Sequence, residues 1–359
     1  MTGHFTSYKT RTKHELATVP PAWIALCHPI AHDAAVSDNR DVQPMEFGVH
    51  IGTRGCLITR ENIMAMASAA EAQGYGTIGV ADHLIVPVQT GVRYPYTADG
   101  VWPGAPTGEC FDAIATLSFL AGFTRRIKLL TSVLVVPHRP AVLTAKLLTT
   151  ADVLSGGRVI AGVGTGWMKE EFAALGTPPF EERGAVTDEY LAAWQALWTR
   201  DNPAAHGKHV NFDNVVFRPR PAKPPPIWVG GESAPALRRA AKFGDAWYPV
   251  SNNAQILLNT PDKLKSGIGR LHQAAEKIGR DPGSIDIAYV WFMPPSWTEK
   301  TNEDGSRRLF TGGSDAMLQD AAAFKAVGVK HLIVYLQQPT IEKTLELQQR
   351  FAEDVVRKA

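Results

Sequence analysis

From Met45 to its C-terminus the chain alternates between short apolar runs and longer segments with the periodicity of amphipathic helices. Eight runs have the length and β-branched composition of buried strands: 46–51, 77–83, 127–137, 158–166, 227–231, 245–250, 285–293 and 331–336. The segments with helical periodicity are 61–75, 110–123, 141–154, 169–176, 181–200, 234–243, 261–279, 315–327 and 341–357. This regular alternation predicts consecutive β-α units.

The composition of the strands indicates how they are arranged. The run 128–136 is apolar without alternation, which is typical of a strand that is buried on both faces in a parallel sheet. Eight such units predict a (β/α)8 TIM barrel of the α/β class, with insertions in the βα loops at 84–108 and 201–225. We expect a hairpin at 209–218 within the second insertion. A doubly wound open sheet is the alternative, but no Gly-x-Gly-x-x-Gly turn opens the first helix.

The first 44 residues show no sustained period and differ from the rest of the chain. We interpret residues 1–44 as a poorly ordered N-terminal extension, with upstream sequence before a start at Met45 and a docked arm as alternatives. Residues 45–359 are then a single barrel domain.

The composition excludes several classes of protein. The chain has 359 residues, and its 37 Lys and Arg against 35 Asp and Glu leave a net charge of +2, which gives no reason to expect nucleic acid or a membrane surface as a partner. Three cysteines without a Cys-x-x-Cys pair do not predict a disulfide framework or a closed zinc site. No His-Glu-x-x-His motif occurs, so we predict no metal. With no apolar run of about 18 residues and no signal-peptide pattern, we expect a cytoplasmic protein.

The active site of a TIM barrel lies at the C-terminal ends of its strands. The second predicted strand ends in Asp82 and His83, a pair that can fix an imidazole tautomer and supply a proton, or serve structure alone. Gly164, Thr165 and Gly166 end the fourth strand. Glycines there let the backbone approach a flat or phosphorylated ligand, with close packing at a barrel corner as the alternative.

The fifth predicted strand ends in Gly230, Gly231, Glu232 and Ser233, directly before a helix. Ser233 can cap this helix, and the free N–H groups of a helix start bind anions. Together with the other strand ends, this turn predicts a barrel that holds a phosphorylated cofactor. Arg139, after the third strand, is interpreted as a solvated surface charge.

At these residues the sequence resembles the bacterial luciferase-like superfamily of flavin- and deazaflavin-dependent oxidoreductases. The resemblance runs from about Met45 to the C-terminus and is closest to the branch that uses coenzyme F420. The motifs that carry it are Pro137-His138-Arg139-Pro140, the segment 152–158, Gly162-Val163-Gly164-Thr165-Gly166-Trp167, Glu170-Glu171-Phe172, the segment 226–231 and Gly244-Asp245-Ala246-Trp247.

The resemblance implies a TIM barrel with the cofactor ring lying across the strand C-termini. It implies that Asp82 and His83 belong to the F420 site and that the peptide bond between Ser132 and Val133 is cis and backs the ring. The remaining cofactor-binding residues that it implies, for the phosphate and the linker, are Gly164, Thr165, Gly166, Gly230, Gly231, Glu232 and Ser233.

The activity implied by the resemblance is hydride transfer between F420 and a small organic substrate. His83, oriented by Asp82, would polarise or protonate the reacting group. An FMN-dependent monooxygenase that uses reduced FMN and O2 is the alternative, and a non-catalytic flavin-binding protein is a third. Many members of the superfamily are dimers through barrel helices, so a homodimer is expected.

Two features of this chain bear on its substrate. Trp167 stands where sugar-phosphate dehydrogenases of the superfamily place a glutamate acid, so a sugar phosphate is not expected. Glu109 could replace that acid as a catalytic residue, or could only cap the helix that follows. The loop 92–102, with Tyr94, Tyr96 and Trp102, would roof an apolar or aromatic substrate, or pack as an ordinary loop.

Overall fold

A computed structural model of the protein describes residues 44–52, 57–88, 91, 93–97, 99–102 and 108–359. The predicted N-terminal extension lies outside these residues, apart from residue 44. The strands are β1 Glu46–Ile51, β2 Thr77–Val80, β3 Lys128–Thr131, β4 Leu134–Val135, β5 Val159–Gly164, β6 Ala205–His206, β7 Asn211–Phe212, β8 Ile227–Gly230, β9 Ala246–Tyr248, β10 Asp286–Trp291 and β11 Val329–Tyr335.

Nine of these strands close into a parallel barrel. Their order is β3-β2-β1-β11-β10-β9-β8-β5-β4, and β3 also pairs with β5. The strands β3 and β4 are two halves of one barrel strand, since both pair with β5. The eight resulting positions confirm the predicted (β/α)8 TIM barrel.

The helices surround this barrel. They are α1 Arg60–Gln73, α2 Ala113–Phe123, α3 Ala141–Ser155, α4 Lys169–Leu175, α5 Arg183–Thr199, α6 Ala234–Phe243, α7 Pro261–Glu276, α8 Ser314–Ala326 and α9 Ile341–Phe351. Their ends follow local capping chemistry. In α1, for example, the Thr59 side chain accepts a hydrogen bond from the Asn62 N–H, and Gly74 ends the helix at φ 93°. None of the helices in the described ranges is long and apolar enough to cross a membrane.

Two sequence predictions about elements need correction. The predicted hairpin at 209–218 was wrong in position, because β6 and β7 pair across a turn at Gly207, whose N–H donates to the Val210 carbonyl. The predicted strand 77–83 ends at Val80, and the next three residues leave the sheet. That departure carries the Asp82 and His83 side chains to the C-terminal face of the barrel.

The interior of the barrel is filled by side chains. A cluster that includes Leu130, Trp228, Tyr248 and Ile333 occupies it, and the larger cluster lies between the strands and the helices. Backbones also approach closely, since a Cβ atom on Gly162 would lie 2.0 Å from the Thr131 carbonyl oxygen. A barrel packed in this way leaves room for a ligand above the strands, at their C-terminal ends.

Candidate active site

A cavity of about 530 Å³ lies at the C-terminal ends of the strands. It brings together the residues predicted to bind a cofactor, which are Asp82, His83, Ser132, Val133, Gly164, Thr165, Gly166, Gly230, Gly231, Glu232 and Ser233. Glu109 does not line it and is exposed. It does not cap helix α2 either, because Asp112 does so by accepting from the Ala115 N–H at 2.8 Å.

The orientation of His83 differs from the sequence prediction. Its Nδ1 lies 2.9 Å from Oε2 of Glu171, a residue of α4, while the other carboxylate oxygen of Glu171 accepts from the Leu84 N–H at 2.8 Å. Burial acts to raise the pKa of Glu171, but the hydrogen bonds from His83 and from the Leu84 N–H are among the contributions that outweigh it and hold that pKa below its ordinary value. An ionised Glu171 only accepts hydrogen bonds, so the His83 proton sits on Nδ1. Nε2 then remains for a ligand.

Asp82 faces away from His83 and pairs with Arg139. The two Arg139 Nη atoms donate to the Asp82 carboxylate at 2.9 and 2.7 Å, and the Val135 N–H donates to it at 2.9 Å. Arg139 also donates to Asp112. Arg139 is only 8% exposed, so its interpretation as a surface charge was wrong. The Asp82–Arg139 pair fixes the strand ends that support the cavity, and the prediction that Asp82 orients His83 was wrong.

His138 is a buried cavity residue to which the sequence analysis gave no role. Both of its ring nitrogens are buried without a hydrogen-bond partner among the described residues. Its Nδ1 lies 3.9 Å from Oε1 of Glu171, and its ring packs edge-on against Phe172. Desolvation by burial lowers the pKa of His138, so this imidazole is neutral at physiological pH.

The floor of the cavity is built around Val133. The peptide bond between Ser132 and Val133 is cis, as the resemblance implied. A Cβ atom on Gly164 would lie 2.8 Å from Cγ2 of Val133, and one on Gly230 would lie 3.2 Å from Cγ1. Close packing therefore accounts for both glycines, and it leaves a smooth apolar surface. Beside it, the Ser132 hydroxyl lies 2.9 Å from the Tyr248 hydroxyl.

One end of the cavity has the donors that suit a phosphate. Ser233 caps α6, its Oγ accepting from the Ala236 N–H at 3.4 Å, as predicted. The cations Arg183 and Arg239 line the cavity beside it and were missed from the sequence. Arg183 stacks on the Phe180 ring at 3.9 Å, whereas Arg239 is held by Asp188 at 2.5 Å. A helix N-terminus with two guanidinium groups fits a phosphorylated ligand.

Glu232 is turned away from this anion-binding end. Its carboxylate accepts from the Val250 N–H at 2.9 Å and from Asn253 Nδ2 at 2.5 Å, and burial raises its pKa. Glu232 therefore fastens the loop after β9 to the turn before α6. It can shape a binding site without presenting its charge to a phosphate.

Tyr94, Tyr96 and Trp167 line the other end of the cavity, and Trp102 packs against them; we call these four side chains the aromatic roof. The ring centroids of Tyr94 and Trp167 are 5.1 Å apart, and Trp102 lies 4.6 Å from the His83 ring. The loop that carries the tyrosines is anchored to the loop after β9. The Ala254 N–H donates to the Pro95 carbonyl at 2.9 Å, and Asn252 Nδ2 donates to the Tyr96 carbonyl at 2.7 Å.

Within the described ranges, no group of three or more His, Cys, Asp or Glu side chains is placed to hold a metal ion. The arrangement can instead hold a phosphorylated, flat ligand across Val133, with the His83 imidazole at hand for proton transfer.

Comparison with known proteins extends this description. An uncharacterized protein of Mycobacterium tuberculosis is 33% identical over 284 residues, which are 78% of this chain and 96% of that protein. The FMNH2-dependent dimethylsulfone monooxygenase of Pseudomonas putida is 36% identical over 170 residues, 46% of each chain. A solved F420-dependent secondary alcohol dehydrogenase, in complex with an F420-acetone adduct, shares the fold at a TM-score of 0.66 and 17% identity, over 87% of this chain and 98% of that one.

The family comparison covers most of the chain. The family described as luciferase-like monooxygenase matches residues 42–332, which include every cavity residue discussed above and all barrel strands except the last part of β11. The chain belongs to the luciferase-like monooxygenase family.

Proposed function

We propose that this protein is an F420-dependent oxidoreductase that transfers a hydride to or from a small organic substrate. The observation that carries the proposal is the buried pair of His83 and Glu171 at 2.9 Å, beside a cavity whose far end suits a phosphate. When bound, F420 would supply the hydride. Hydride transfer to a carbonyl or an imine also needs a proton, which the imidazolium form of His83 can deliver from Nε2; in the reverse direction the neutral imidazole accepts the proton of the alcohol or amine at Nε2.

In this proposal each region of the cavity has one task. The N-terminus of α6, Ser233 and Arg183 bind the phosphate, and Val133 supports the ring. His83 exchanges a proton with the substrate at Nε2, because Glu171 holds its Nδ1 proton. The aromatic roof contacts an apolar or aromatic substrate and excludes water, which strengthens the electrostatic interactions beneath it.

An FMN-dependent monooxygenase is the second candidate. It is favoured by the similarity to the FMNH2-dependent dimethylsulfone monooxygenase. The same phosphate-binding end and the same roof would hold FMN, and reduced FMN would supply the reaction with O2 beneath this roof.

A parallel binding titration separates the two cofactors. The purified protein is titrated with F420 and with FMN, each oxidised and reduced, and binding is followed by cofactor fluorescence. Micromolar F420 binding with weaker FMN binding supports the proposal, and the reverse supports the monooxygenase. Anaerobic hydride transfer and oxygen consumption are then screened with small organic compounds. A protein that binds a cofactor but turns over none of them would be a binding protein.

We also propose a homodimer through α2 and α3. Apolar side chains are exposed on both helices, including Phe119 on α2 and Val142, Leu143, Leu147 and Leu154 on α3. Apolar surface of this extent on two adjacent helices is typical of a protein interface.

A further inference from the structure

A second, smaller cleft lies on the outside of the barrel between α6 and α7. It encloses about 460 Å³, and five cationic side chains line it: Arg238, Arg239, Lys242, Arg270 and Lys277. Asp188 is its one acidic lining residue. We call this cleft the basic groove.

Most of the charge in the basic groove is not neutralised by the protein. Asp188 pairs with Arg239. Arg238, Lys242, Arg270 and Lys277 are exposed and form no ion pair with any residue in the described ranges. Among the described residues the groove therefore carries four unpaired positive charges, whereas the chain as a whole has a net charge of only +2. Such a surface attracts anions with several negative charges.

The position of the basic groove connects it to the active-site cavity. Pro235 and Arg239 line both, so the groove begins where the proposed phosphate-binding end of the cavity stops. It follows α6 from Ala234 to Phe243, a distance of about 13 Å at 1.5 Å per helical residue. An extended chain attached to the phosphate would therefore enter the groove directly.

We propose that the basic groove binds the carboxylate-rich extension of the cofactor beyond its phosphate. This rests on the proposed function, because F420 continues past its phosphate into a chain of glutamates, whereas FMN ends at its phosphate. Arg270 and Lys277 would pair with glutamate carboxylates, while Phe243 and Ile278 provide apolar walls. A groove of one helix length suits a short anionic chain better than a nucleic acid, which needs a longer basic surface.

The test compares two double variants with the wild type. Arg270→Glu with Lys277→Glu reverses the groove charge, and Lys265→Glu with Lys343→Glu is the matched control. Lys265 is exposed on the same helix outside the groove, and Lys343 is exposed on α9. Each protein is titrated with F420 of long and of short glutamate chain, with FMN, and with a short DNA duplex, at low and high ionic strength. Thermal melting checks that each variant is folded.

We expect the groove variant to bind long-chain F420 about tenfold more weakly, since two exposed ion pairs are lost and the charge reversal adds repulsion. The difference should shrink at high ionic strength. The groove variant should bind FMN as the wild type does, and the control variant should bind long-chain F420 with the affinity of the wild type.

The inference is overturned if the wild type binds F420 of long and of short glutamate chain equally well. It is also overturned if the groove variant binds long-chain F420 as tightly as the wild type. Either result leaves F420 binding itself established. DNA binding lost only in the groove variant would assign the groove to nucleic acid instead. A wild type that binds no F420 refutes the proposed function, and the inference with it.

Discussion

Replacement of Glu171 by Gln tests the central contact of the site. The carboxylate accepts from three donors: His83 Nδ1 at 2.9 Å on one oxygen, and the N–H groups of Leu84 at 2.8 Å and Ile85 at 3.4 Å on the other. Glutamine has the same shape but only one acceptor oxygen. A backbone N–H cannot become an acceptor, whereas an imidazole can change tautomer. We therefore expect the amide oxygen to stay with Leu84 and the NH2 group to face Nδ1, which moves the His83 proton to Nε2.

The size of the effect follows from the contact. A hydrogen bond to a charged group contributes about 1.5–3 kcal/mol. A proton on Nε2 prevents this nitrogen from accepting the substrate proton during substrate oxidation, a step that contributes about 10²–10⁴ in turnover. We expect Glu171→Gln to lower kcat within that range and to leave cofactor affinity nearly unchanged. Glu182→Gln, which removes a carboxylate that pairs with Lys208, is the control.

The direct assay is ¹⁵N NMR of histidine-labelled protein, which distinguishes the two tautomers without a substrate. At a pH where the imidazole is neutral, the wild-type His83 signals should report a protonated Nδ1 and an unprotonated Nε2, and Glu171→Gln should exchange them. Identical His83 signals in the wild type and the variant would refute the reasoning, whatever happens to turnover.

The effect of Glu171→Gln on the stability of the fold should also depend on pH. The pKa of Glu171 is lowered in the folded protein from an ordinary value of 4.5, so its carboxylate stabilises the fold above that pH. This contribution is lost as the pH falls through the lowered pKa. The difference in melting temperature between wild type and Glu171→Gln should therefore be largest near neutral pH and narrow below 4.5. A difference in melting temperature between the two proteins that does not change with pH would contradict this expectation.

Three further variants test other parts of the structure. Ser233→Glu should weaken cofactor binding by charge repulsion at the start of α6. Unchanged cofactor affinity in a titration would show that the phosphate does not bind there. Arg139→Ala should lower the free energy of unfolding by about 3–5 kcal/mol, measured by urea denaturation, because it leaves Asp82 buried and unpaired; a loss below about 1 kcal/mol would show that Asp82 is solvated. Leu143→Glu with Leu147→Glu should convert a dimer to a folded monomer in sedimentation, and a monomeric wild type would refute the dimer.

The barrel was predictable because its signal is local. Unbroken β-branched runs and helices with recognisable caps such as Ser233 specify each element within a few residues. The predicted bounds of β1 and α6 agree with the structure. The hairpin failed because Val215 and Val216 resemble strand residues in sequence but are exposed in the structure.

The site was only partly predictable, because its key contacts join distant residues. His83 and Glu171 are 88 positions apart, and Asp82 and Arg139 are 57 apart. Adjacent residues of extended chain point to opposite sides, so the neighbours Asp82 and His83 could not serve one another. That rule was a signal available in the sequence. The roles of Arg183 and His138 depend on where α5 and the end of β4 lie, for which no local pattern exists.

The anchorage of the aromatic roof has a consequence for how substrate choice can change. On the roof side both anchoring hydrogen bonds end on carbonyl oxygens, those of Pro95 and Tyr96, which every amino acid possesses. Substitution of Tyr94 or Tyr96 would therefore alter the surface over the substrate without removing the anchors. The barrel and its anion-binding end can stay constant while these two positions vary, so they are where evolution or laboratory selection should find new specificities.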